Sequence, residues 1–373
     1  MYFSPKTSAD GLVFHYDTGN TVRSYLGEPT VNLLYSAGAT NLTNGAGDIY
    51  GRCTKTDLGN GKYRFVNNGT GVSTVRVYTN QGDLVNGATY ACSVYYENLV
   101  GGISIDWCDT GITGLNYSTN VSGRLGGYGT RGTYDGPYYF LDIDFDSGGA
   151  VTLYNPQVEY KSHVTPFVAG TRSATQGLKD LTAKNTIDIS TVSFDSNAQM
   201  TFDSTNDAIS ITTPSGFSGS GTWTLNTWFK INGAPSSNVY MNVILDMNPT
   251  GGSANMICVN WSDMRLQYRS RPVGGSYTDI NGSILTQGVW YNATVVKNGA
   301  SDTKLYLNGV QDGGTYSGDL PAGNQSTFNI GRWTDGTVFA NATIPVIHIY
   351  SRALTADEVA RNFNAIKSRF NIG

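Results

Sequence analysis

Asp142, Asp144 and Asp146 alternate with Leu141, Ile143 and Phe145 in the run FLDIDFD. An extended backbone would put the three carboxylates on one face, about 6.5–7 Å apart. That spacing overlaps the roughly 6.5–9.5 Å between the acids of an inverting glycosidase, but parallel side chains on one strand seldom flank a bond. Three like charges on one face also repel unless a cation or a basic neighbour compensates. The run therefore reads as a solvated or salt-bridged outer face, as a contact to sugar hydroxyls or Ca2+, which favours oxygen ligands, or as a catalytic pair. Other reactive groups are sparse. The glutamates are four, Glu28, Glu97, Glu159 and Glu358, and His15, His163 and His348 stand apart in sequence. No GxSxG elbow, HExxH pair or phosphate-binding GxxxxGK loop is present. His348 alternates with Val346 and Tyr350, which predicts a packed or hydrogen-bonded strand residue.

Sugar recognition asks for aromatic rings against the apolar faces of pyranoses and for short polar side chains that pair with hydroxyls. Both are plentiful. DWCDTGITGLNYSTN (106–120) and GGYGTRGTYDGPYY (126–139) set Trp107, Tyr117, Tyr128, Tyr134 and Tyr138 among Asn, Asp and Gly. VNWSDMRLQYRSR (259–271) and GRWTDGT (331–337) add Trp261, Asp263, Arg265, Tyr268, Trp333 and Asp335. Local packing or a subunit contact competes with sugar binding at each loop aromatic. Trp228 and Trp290, at strand centres, are expected in the core.

The elements that must carry these residues are almost all strands. MTFDSTNDAISI, TWTLNTWFKI and VWYNATVVKN alternate apolar and polar residues, and Asn308-Gly309 between KLYL and VQDG is a strong hairpin signal. The convincing helix is TADEVARNFNAIKSRF (355–370): Thr355 and Glu358 form a capping box, and Val359, Phe363, Ile366 and Phe370 share a face. The 373 residues leave room for two cores. Charged residues make up 14%, against roughly 25% in an ordinary globular chain, beside 46 Gly and 24 Tyr. That composition suits an extracellular sandwich with tight turns. A net charge of −4 without a basic cluster argues against a nucleic-acid surface, and no apolar run approaches the ~20 residues of a membrane span. The start, MYFSPKTSADG, has neither the basic nor the apolar region of a signal peptide, so synthesis in a cytosol is expected. A virus particle, released by lysis, reconciles that start with the composition. Cys53, Cys92, Cys108 and Cys258 have no CxxC or zinc-ligand spacing and are expected as free thiols.

Read in order, FDSTNDAISI (202–211), WTLNTWFKI (223–231), VWYNATVVKNGASDTKLYLNG (289–309), FNIGRW (328–333) and IPVIHIYSRALTADEV (344–359) resemble the concanavalin A-like, laminin G-like jelly roll. Two further pieces of that pattern, GLVFHYDTGNTVRSYLG (11–27) and LKDLTAKNTIDIS (178–190), are separated by about 150 residues, where the family has a few. The resemblance implies an all-β protein of two antiparallel sandwiches with one short C-terminal helix. Residues 1–28 and 173–373 would form a discontinuous jelly roll, with a second sandwich, 29–172, inserted; sequential domains with an N-terminal arm are the alternative. In the insert, NGATYACSVYYENL resembles a strand of carbohydrate-binding-module-like jelly rolls. NPQVEYKSHVTPFVAGTRS (155–173) resembles an ending that recurs in bacteriophage virion proteins, as does EVARNFNAIKSRF.

The resemblance implies a non-enzymatic virion surface protein of a tailed phage, a capsid decoration or tail-fibre-associated adhesin. Glycan hydrolases on this sandwich use an ExDxxE-like strand, which is missing here. The implied partners are other virion proteins in a closed homo-oligomer and a host-surface glycan, without a cofactor other than Ca2+ at Asp142, Asp144 and Asp146. A structural cement protein without a sugar site and a polysaccharide depolymerase are the alternatives.

Overall fold

Strand Trp223–Ile231 shows how alternation builds the fold. Trp223, Leu225, Phe229 and Ile231 enter the main core, while Asn226 and Trp228 face the opposite side and are buried there as well. The computed structural model describes residues 6–36, 53–78, 84–106, 113–115, 117–132, 139–235, 241–247, 254–271, 275–299, 301–316, 327–333 and 336–372. The chain divides into two compact units, one of residues 1–28, 174–195 and 199–373, the other of 29–173 with 196–198. Among the described residues no helix is long and apolar enough to cross a membrane.

The first unit has two antiparallel sheets. One orders Ser193–Phe194, Met200–Asp203, Asn341–Tyr350, Trp223–Ile231, Trp290–Lys297, Thr303–Leu307 and Val310–Tyr316. Strand Leu12–Asp17 joins it on Asn341–Tyr350, pairing from Leu12 opposite Tyr350 to Asp17 opposite Val346 with a register shift between Leu12 and Phe14. The other orders Ile209–Thr212, Thr327–Ile330, Met241–Asp246, Ala254–Asn260, Arg265–Arg271 and Thr278–Ile284. Leu225, Val295, Leu305 and Ile347 from the first meet Ile257, Leu266, Tyr268 and Phe328 from the second in one apolar core. Asn308 and Gly309 take φ of 51° and 82°, as a type I′ hairpin requires, between the paired Leu307 and Val310. The two runs of MTFDSTNDAISI do not pair with each other. Met200–Asp203 enters the first sheet beside Asn341 and Ala342, and Ile209–Thr212 enters the second against Thr327–Ile330.

The LKDLTAKN segment works through Asp180, whose carboxylate accepts the backbone N–H groups of His15, Thr182, Lys184 and Asn185. Together with the Leu181 N–H bond to His15 O, this fastens the segment to the opening strand.

In the second unit, Cys53–Gly59, Lys62–Asn67, Ala150–Glu159, Thr89–Val100, Gly123–Thr130 and Thr113–Leu115 form one sheet. Ser73–Tyr78, Tyr139–Phe145, Ile103–Asp106 and Tyr117–Ser118 form another, and Phe65, Val75, Val94, Ile143 and Leu153 share a core. Its first and last strands, Thr30–Val31 and Thr171–Arg172, pair with each other. Buried Glu159 accepts hydrogen bonds from the Thr30 hydroxyl and the Thr165 N–H, while Gln157 Oε1 accepts the Val168 N–H and Arg172 donates to Pro166 O. Segment 155–173 thus carries a buried hydrogen-bond network that closes this unit. Cys53, Cys92 and Cys258 are free thiols; Cys108 lies outside the described residues.

Helix Ala356–Ile366 starts with the expected reciprocal capping box of Thr355 and Glu358, and Leu354 shares an apolar cluster with Val359. The helix ends earlier than the apolar spacing predicts. Lys367–Phe370 tightens into a 3-10 turn closed by Asn371 in the left-handed conformation, and Phe370 is still buried. Phe363 and Phe370 stack on Trp228 with centroids at 5.6 and 4.5 Å, and Trp290 lies 4.7 Å from Phe370. The helix therefore covers the outer face of the eight-stranded sheet.

On that same face, His15 and His348 stack at 4.1 Å across the paired strands. His348 Nδ1 lies 3.1 Å from Asn226 Oδ1, and both buried Nε2 atoms lack a partner among the described residues. Burial lowers His15 to about 4, against the opposing pull of Asp17 and Asp180, and holds His348 well below its ordinary value. Between pH 6.5 and about 4 the unfolded chain binds protons that the folded chain refuses, so stability falls as the pH falls through that window. Urea unfolding at pH 7, 5.5 and 4.5 is expected to show the decline, blunted in His15→Asn; equal midpoints at all three would contradict it.

Candidate functional site

With one outer face of the first unit under the helix, polar side chains gather on the outer face of the six-stranded sheet. Strand RLQYRSR turns Arg265, Gln267, Arg269 and Arg271 to that face and Leu266, Tyr268 and Ser270 inward. The neighbouring strand Thr278–Ile284 places Asp279 opposite Arg269 and Asn281 opposite Gln267. Arg269 grips Asp279 through Nε and Nη2, both at 2.9 Å, and the hydrogen bond raises the guanidinium further above its usual range. Gln267 Nε2 donates to Asn281 Oδ1 at 2.7 Å, while the buried Gln267 Oε1 has no partner among the described residues. Arg269 and Arg271 each lie 4.6 Å from the Tyr277 ring, which is partly exposed.

Beside this array lie Met241, Val243, Met256 and Cys258, packed with Val338 and Trp333. Cys258 is opposite Gln267 in the register, and burial pushes its thiol up to about 12, so it stays a neutral packing group. Trp333 is set by its short loop: its N–H donates to Val338 O, and Gly336 N–H donates to Trp333 O. Gly331 starts that loop with φ of 77°, against the Phe202 ring, where a side chain would not fit. The buried Trp333 Nε1–H has no hydrogen-bond partner among the described residues. The face thus combines paired planar amides, a guanidinium–carboxylate pair and a flanking indole, the kinds of group that hold vicinal hydroxyls.

Of the residues picked from sequence, Asp263, Arg265 and Trp333 belong to this unit's periphery or face. Arg265 Nε pairs with Asp263 at 3.1 Å, and Nη1 donates to Gly282 O. Trp261 is half-buried against the main core. Tyr268 is not a ligand contact: it is buried, and its hydroxyl donates to Asn255 Oδ1 at 2.9 Å. The period of two in RLQYRSR already assigns it inward. The same period names Gln267 and Arg269, which the search for loop aromatics passes over. Trp107, Tyr134, Tyr138 and Asp335 lie outside the described residues.

In the second unit, Tyr117 and Tyr128 are exposed, but on strands of different sheets rather than in one loop cluster. A column on the other outer face is better formed. Lys62 lies 4.5 Å from the Tyr154 ring, Tyr154 stacks on Tyr95 at 5.5 Å, and Arg124 lies 4.9 Å from Tyr95. Each ring thus has an aromatic and a cationic neighbour, an arrangement suited to stiffening the sheet. The aspartate run does not form a ligand set. Asp144 accepts the Thr74 hydroxyl, Asp142 sits opposite Arg76 and Asp106 in the register, and Asp146, past the strand end, accepts the Gly102 N–H. Among the described residues no group of three or more His, Cys, Asp or Glu side chains could hold a metal ion.

No curated protein sequence matches the chain. Partial likenesses exist to solved structures. The binding domain of Paraclostridial Mosquitocidal Protein 1 is 19% identical, with 50% of this chain and 49% of that one covered and a TM-score of 0.41. The ligand binding domain of Botulinum neurotoxin serotype D in complex with N-acetylneuraminic acid is 14% identical over 52% and 49%, at 0.40. The Trypanosoma rangeli sialidase is 13% identical over 51% and 31%, also at 0.40. The chain spans about half or less of the length of each. Residues 203–360, within the first unit, match the family model Laminin_G_3, described as the Concanavalin A-like lectin/glucanases superfamily.

Proposed function

We propose that this protein binds glycans through the outer face of the six-stranded sheet, without cleaving them. The observation that carries this reading is the side-by-side pairing of Gln267 with Asn281 and Arg269 with Asp279 next to Trp333. Two planar polar pairs, fixed by their own hydrogen bonds, present donors and acceptors at little ordering cost when a diol docks. A hydrolase would need a second acid across the bond from Asp279. Asp279 is instead held by Arg269, which suits recognition.

The surrounding assignment rests on the sequence. The endings NPQVEYKSHVTPFVAGTRS and EVARNFNAIKSRF support a surface protein of a tailed phage particle, made in the host cytoplasm, with the second unit as an inserted carbohydrate-binding-module-like sandwich. Its partners are other virion proteins and further copies of itself in a closed ring. Mass spectrometry of purified particles, with reducing-end release measured on host polysaccharide, tests this part. The protein is expected in the particle with no sugar released; absence from the particle, or release abolished by Asp279→Asn, would overturn it.

A further inference from the structure

On the far side of the first unit, a half-open groove of about 230 Å³ lies between the strands 290–307 and the start of the C-terminal helix. Its walls include Val296, Leu354, Tyr306, Asn298, Asp302 and Lys304. We infer that this groove is a binding site for one neutral hexopyranose residue, separate from the outer-face site.

Two features of the groove select this ligand. First, its charges cancel: Asp302 Oδ1 is 2.9 Å from Lys304 Nζ, and Asn298 Nδ2 donates to Asp302 Oδ2 at 3.2 Å. Neither an anion nor a cation gains from such a pair, whereas an uncharged hydroxyl can accept from the ammonium and donate to the carboxylate. Second, the lining has an apolar part and a polar part, as a pyranose does. Val296 and Leu354 belong with Tyr306 to one apolar cluster, opposite the polar groups. Tyr306 is 5% exposed and lines the groove, and a phenol hydroxyl can both donate and accept. Thr355 also lines the groove; its oxygen accepts the Glu358 N–H, which leaves its proton free to donate.

The test is a TROSY titration of the isotope-labelled full chain with methyl α-glucopyranoside, methyl α-mannopyranoside and methyl β-galactopyranoside in turn. One of the three is expected to give saturable shifts in the amides of the groove residues, with a Kd on the order of 1 mM. Asp302→Asn and Tyr306→Phe, both close in shape to the native residues, are expected to weaken that binding by about tenfold each. Arg269→Ala is expected to leave it unchanged. No saturable shift in the groove amides with any of the three glycosides would overturn the inference, as would equal affinity in both groove variants. Shifts confined to the outer face would overturn it while leaving the proposed function standing.

Discussion

Trp228→Ala is expected to destabilise the first unit by about 3–5 kcal/mol, the usual cost of truncating a fully buried large aromatic. Trp228 is completely buried, and it is the plate on which Phe363 and Phe370 both stack. Its loss would leave a cavity beneath the C-terminal helix and remove two ring contacts at once. The helix also holds the opening segment: Asn362 Oδ1 accepts the Ser8 N–H, and Arg352 pairs with both Glu358 and Asp10. Hydrogen exchange should therefore quicken in residues 356–370 and in the segment before strand Leu12–Asp17, not in the helix alone. A loss below about 1 kcal/mol in denaturant unfolding would mean that the helix does not depend on this ring.

The second large effect concerns binding. Arg269→Ala with Asn281→Ala removes one charged and one neutral hydrogen-bonding partner from the outer face. At about 1.5–3 kcal/mol for the first and 0.5–1.5 for the second, glycan affinity should fall about a hundredfold. Asn281 is exposed, but the Arg269 and Asp279 side chains are only 20% and 18% exposed and Gln267 is buried, so the double variant is also expected to lose some stability. Arg269→Lys provides a finer control. It keeps the charge but not the two-toothed grip on Asp279, so it should behave more like the alanine variant than like the native protein.

Much of this architecture is legible in the sequence because its signals are local. The Asn308-Gly309 turn, the Thr355–Glu358 box and the alternation in WTLNTWFKI each determine their own few residues. The end of the helix at Ile366 is not legible, since the apolar spacing continues to Phe370 whether the last turn is α or 3-10. The site is harder to read for a different reason. Choosing residues by type favours aromatics, so Tyr268 is picked although its strand parity turns it into the core. Gln267, Arg269, Asp279 and Asn281 matter only as cross-strand pairs, and pairing depends on a register that no single strand encodes. The aspartates of FLDIDFD fail in the opposite way: their alternation is real, but Thr74, Gly102 and the neighbouring strands engage them one by one.

An array of bacterial surface polysaccharides, probed with the native protein and with the Arg269→Ala, Asn281→Ala variant at equal concentration, tests the outer-face site most directly. The native protein should be retained by at least one polysaccharide and the variant should lose that retention while staying folded at the assay temperature. Retention of both alike, or of neither on any polysaccharide, would contradict a glycan site on this face.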